Sequence, residues 1–132
     1  MKDWFMAGGF GMWALLIIGA GAIGYGVKTL KAPTAGGVAA LKSLSAILGL
    51  ASLGAFGTNM WAVNVHLSND AFLKAAGIAN DQLAFTAMIG FTEASQVLTL
   101  GAHLALAVVV IRMIAEARLA KADKADKAAQ AA

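Results

Sequence analysis

Residues 43–66 read SLSAILGLASLGAFGTNMWAVNVH, 24 residues without one Asp, Glu, Lys or Arg, between Lys42 and the polar stretch around Asn69 and Asp70. A helix rises 1.5 Å per residue, so about 20 apolar residues cross the bilayer's hydrocarbon core of about 30 Å. This window is long enough to span, with some tilt. Working outward, Trp4 to Val27 is a second uncharged window of 24 residues, between Asp3 and Lys28. A third runs from Leu83 to Ile111 and is interrupted by Glu93 alone. It exceeds what one bilayer needs, so its helix is expected to project past a membrane face. The chain reads as an all-α integral membrane protein with three transmembrane helices, over about 4–27, 43–66 and 83–117. Residues 1–117 form the membrane domain, and 118–132 form a charged Ala/Lys-rich tail that repeats Lys-Ala-Asp. The tail reads as a helical continuation of the third span that frays into solvent.

Composition supports the same class. Of 132 residues, 60% are hydrophobic and 13% charged, with a mean hydropathy of +0.75. Soluble domains average about 45–50% apolar and about 25% charged residues. A chain this short with half the usual charge density cannot cover a soluble surface. An ordinary globular enzyme and a disordered chain are excluded. So is a disulfide-stapled secreted domain, since there is no cysteine. The first window is too long for a signal-peptide core and no clear small-residue cleavage site follows it, so it is expected to remain as an anchor.

Lys and Arg counts orient the chain. The segment between the first two spans holds Lys28, Lys31 and Lys42. The segment after the third holds Arg112, Arg118, Lys121, Lys124 and Lys127, against Lys2 and Lys74 on the other side. The positive-inside rule places the N-terminus outside and the C-terminus in the cytoplasm, as an odd number of spans requires. The net charge of +3 is then a topological signal, and no nucleic-acid partner is expected. Lys28 to Lys42, with Pro33 beside Gly36 and Gly37, reads as a flexible fifteen-residue connection. In the outer connection, Ser68-Asn69-Asp70 is suited to cap a short helix over Ala71–Ala76 ended by Gly77.

Polar residues inside spans mark where chemistry or assembly happens, because they are costly against lipid. The second span places Ser45, Ser52, Asn59 and His66 seven residues apart. Seven residues turn a helix by about 700°, so they share one slowly drifting stripe, with Thr58 and Asn64 beside it. In the third span Thr92, Gln96, Thr99 and His103 share a face, and Glu93 flanks Gln96. Most of these side chains read as hydrogen-bonding glue between helices. Glu93 reads differently: charging a carboxyl at membrane depth costs at least about 2.5 kcal/mol, so a lone one is a functional candidate. The first span carries no charge or amide from Trp4 to Val27. It is expected outermost in a homo-oligomer whose centre is lined by the other two. Two histidines suggest a bis-histidine haem, but helix rise separates His66 and His103 by roughly 25–30 Å in depth. No metal site or cofactor is expected, nor any catalytic residue.

These residues also resemble a known family. Ala7-Gly8-Gly9-Phe10-Gly11-Met12-Trp13-Ala14-Leu15-Leu16 is similar to the first-helix signature of the MotA/TolQ/ExbB proton-channel family. Leu48-Gly49-Leu50 followed by Leu53-Gly54-Ala55-Phe56-Gly57-Thr58 is similar to that family's leucine-glycine run ending in Gly-Thr. Gly90-Phe91-Thr92-Glu93-Ala94, with Gly101 later, is similar to its Gly-x-x-Glu-Ala motif. The likeness covers residues 7–30 and 46–115. It implies a bacterial inner-membrane ring, usually a pentamer, around single-span partner helices driven by the proton-motive force. It would make Thr58 a pore-lining hydroxyl and Glu93 the polar residue near the pore's outer half. Taken with the polar seams, the pore or proton-pathway candidates are Glu93, Thr58, Asn59, Gln96, Thr99 and His103, and the small residues expected at close packing are Gly49, Gly54, Gly57, Gly90 and Gly101. Three departures stand out. The family's pore threonine would fall at Val97 or Leu98, its late proline is missing from Ala105–Val110, and its large cytoplasmic region has shrunk to fifteen residues. The chain thus looks like a minimal, divergent relative. The alternative expectation is a non-conducting accessory or scaffold subunit of a larger membrane complex.

Overall fold

The computed structural model describes residues 10–130. In chain order these form α1 (Phe10–Lys31), α2 (Ala35–Leu67), α3 (Asp70–Ala76), a 3-10 turn (Asn80–Gln82) and α4 (Leu83–Gln130). α1, α2 and α4 are long and apolar enough to cross a membrane. Trp4, and the Ala7-Gly8-Gly9 part of the first-helix signature, lie outside the described residues.

The helices are longer than the uncharged windows. α1 runs to Lys31 rather than ending at Val27, and α2 begins at Ala35 rather than Ser43; α4 carries on through the tail to Gln130, the helical continuation expected there. Lys28, Lys31 and Lys42 mark where an apolar environment ends, and a lysine is no obstacle to helix. The breaks come from other chemistry. Pro33 disfavours helical backbone at the residue before it and ends α1. Thr34, at φ −131° and ψ 153°, starts α2, its hydroxyl accepting from Gly37 N–H at 3.0 Å. The expected fifteen-residue flexible connection is therefore Ala32–Thr34, and Gly36 and Gly37 belong to the first turn of α2. Gly37 is there for proximity: a Cβ on it would lie 2.9 Å from Thr29 Cγ2 of α1.

The opposite end follows its sequence signals closely. Asn69 Oδ1 accepts from Ala71 N–H at 3.0 Å and Phe72 N–H at 3.1 Å, and Gly77 closes α3 at φ +69°, a left-handed value suited to glycine. Leu73 is buried and anchors α3 to the bundle.

The core is made by all three long helices. Met12, Leu15 and Ala22 of α1 meet Leu41 and Leu48 of α2 and Val97 and Val108 of α4. The packed face of α1 is Met12, Leu15, Gly19, Ala22, Gly26 and Thr29, alternating steps of three and four that keep one stripe inward. α1 thus contributes fully to the core, while Trp13, Ile17, Ile18 and Tyr25 on its other side are exposed. α2 and α4 make the most extensive pairing. In lipid, dispersion and close backbone approach hold such helices together, so small residues line their contacts.

Candidate functional site

The two polar seams point in different directions. On α2, Ser52 is buried on the same side as Leu41 and Leu48, Ser45 and Asn59 are half-buried, and His66 is exposed at the helix end. The α2 seam therefore coincides with its packed face. On α4, Thr92, Thr99 and His103 are exposed and Gln96 is half-buried. At 100° per residue this stripe is turned by about 150° from the packed stripe of Ala94, Val97, Gly101, Val108 and Ala115. The α4 seam thus faces away from its own chain.

The seam hydroxyls satisfy themselves locally. Ser52 donates to Leu48 O at 2.6 Å, Thr58 to Gly54 O at 2.9 Å, Thr92 to Met88 O at 2.9 Å and Ser95 to Thr92 O at 2.7 Å. Thr99 donates to Ser95 O at 3.3 Å, and His103 Nδ1 lies 2.7 Å from Thr99 O. These bonds all stay within one helix, so the hydroxyl protons are used locally and the oxygens keep their remaining acceptor capacity. The bonding is the usual resource of Ser and Thr in helices, where the preceding turn offers a carbonyl. Gln96 differs: its amide oxygen is buried and accepts no hydrogen bond.

Glu93 leaves the seam. It is exposed and opens into a crevice of about 180 Å³ between α2, α3 and α4, lined by Val63, His66, Phe72, Thr86 and Gly90 as well. The His66 ring lies against Phe72 of α3, centroids 4.6 Å apart and planes tilted by 33°. This brings together an imidazole and a carboxyl that are 27 residues apart in sequence. Sequence reading named both groups and missed that they line one crevice. The signal was geometric: His66 ends α2, Glu93 lies early in α4, and the connection between them is short enough to set both at one end of the bundle. Among the described residues no group of three or more His, Asp or Glu is placed to hold a metal ion.

The five expected packing glycines divide. Gly90 meets Val63, with room for no Cβ (2.8 Å to Val63 Cγ1), and a Cβ on Gly101 would overlap Ser52 Oγ. Gly49, Gly54 and Gly57 face open space within the chain. Gly49 borders an apolar groove of about 650 Å³ together with Leu53, Leu98 and Ala102. Gly19 and Gly26 were not expected at contacts, yet Leu104 and Ile111 of α4 press on them. Their spacing of seven was the available signal.

No family model matches the chain, and neither does any curated protein or solved structure.

Proposed function

We propose that this chain is a ring-forming subunit of a bacterial inner membrane. It works with a single-span partner in the manner of proton-channel and energy-transducing stator proteins, with Glu93 as its proton-bearing group. The observation that carries the reading is the outward α4 seam. Thr92, Thr99 and His103 lie in the middle of an apolar span yet are exposed on the single chain. Polar groups at that depth need protein or water against them. A second copy supplies the cover, and the open glycines Gly49, Gly54 and Gly57 of α2 allow a neighbouring helix to come close. The resemblance in all three spans favours a pentamer.

One observation favours the second reading, a non-conducting accessory subunit. The seam hydroxyls donate to their own helices, and a packing surface needs no more than that.

Two variants separate the readings. Under the proton reading, Glu93→Gln leaves the detergent-extracted particle at its native mass and abolishes proton-driven activity in native membranes. Under the accessory reading, Glu93→Gln is silent and Glu93→Leu reduces the particle mass.

A further inference from the structure

We propose that His66 is the group through which Glu93 exchanges protons with the outer aqueous phase, and that Phe72 holds its ring in place for that exchange. The inference rests on the proton-bearing reading of Glu93 and names the residue that would serve it.

The two side chains line one crevice from different helices, His66 from the last turn of α2 and Glu93 from α4. Both are exposed on the single chain, and His66, one residue before α2 ends at Leu67, stands at the end of its helix. Glu93 is set deeper, ten residues or about 15 Å of helix in from the start of α4 at Leu83. Histidine is the side chain whose charge ordinarily changes between about pH 5 and 8, and it has two ring nitrogens, so it takes a proton on one side and releases one on the other. The remaining crevice lining is Thr86 and apolar residues, so no other titratable side chain faces the pair from α2 or α4. On the elements packed nearby, the charged groups are Asp70 and Lys74 of α3 and Asp81 of the 3-10 turn, all exposed.

The step balances simply. Through water in the crevice, the imidazolium of His66 gives up its N–H proton and a Glu93 carboxylate oxygen gains one, leaving a neutral imidazole and a carboxylic acid. Outer water then reprotonates the ring. The reverse sequence discharges Glu93 outward. Phe72 contributes the ring contact at 4.6 Å, which restricts imidazole rotation.

The test measures proton flux into inside-out or right-side-out native membrane vesicles with a pH-sensitive dye. His66→Gln is expected to slow Glu93-dependent flux at least about tenfold. Free imidazole added on the outer side should restore much of the loss, because a mobile base replaces the missing relay. A merely structural histidine would give no such rescue. Phe72→Ala should produce a smaller loss that responds less to imidazole. Particle mass of each variant confirms assembly. If His66→Gln conducts like the wild type while Glu93→Gln does not, this inference is overturned and the Glu93 reading stands. If Glu93→Gln itself conducts normally, or loss in His66→Gln is untouched by imidazole, the relay falls as well.

Discussion

At Gly101 α2 presses directly on α4, because Ser52 fills the space a Cβ would need. Gly101→Ala must push the helices apart or turn Ser52 away from Leu48 O, the carbonyl to which it donates. Overpacking of this kind costs about 1–3 kcal/mol. The expected result is a lower thermal midpoint of helicity in detergent, with Ser52→Gly in the same chain restoring most of it. Gly54→Ala is the opposite case. Open space surrounds Gly54, and alanine improves helix propensity by about 1 kcal/mol. The isolated chain should therefore melt no earlier. A fall in particle mass in Gly54→Ala, with the melt unchanged, would locate that face between copies; an unchanged mass would put it against lipid.

At the scale of elements, the three spans, the short capped α3 and the unbroken α4 were all legible, because each rests on local signals: apolar length, the Asn69 cap and the Gly77 stop. Helix ends near Lys28 and Lys42 were not legible from charge, since charge reports the water boundary while Pro33 and Thr34 set the helix boundary. Thr34→Ala should consequently cost about 1 kcal/mol, visible as faster hydrogen exchange at residues 35–38 with α4 unaffected. The site was half legible. Its residues stood out as polar groups in apolar windows, whereas the facing of each seam depends on how helices pack. The α2 stripe shares a side with Leu41 and Leu48 and the α4 stripe opposes Val97 and Val108, a distinction that periodicity within one helix does not contain. One ion pair lies within α4, Arg112 Nε 3.3 Å from Glu116 Oε1, as its i, i+4 spacing allows.

For the whole molecule, topology is open to a direct test because the chain has no cysteine. Lys74→Cys should react with an impermeant thiol reagent applied from outside intact cells. Ala125→Cys should react after the membrane is permeabilised, and the reverse pattern would invert the orientation. Fifteen residues of α4, exposed apart from Leu119, extend about 22 Å beyond Ala115, its last buried residue. At that same end the helices are tied twice. Ala32–Thr34 reach at most about 10 Å, and Arg118 Nη1 donates to Leu30 O of α1 at 2.8 Å. At the far end, α2 and α4 are joined by the fifteen residues 68–82. The basic end therefore has the shorter ties, both through α1, and the other end has the longer connection. A tilt of about 5° between α2 and α4 about that end would, after about 35 Å of helix, part their other ends by about 3 Å, the width of a water molecule, beside the crevice that His66 and Glu93 line.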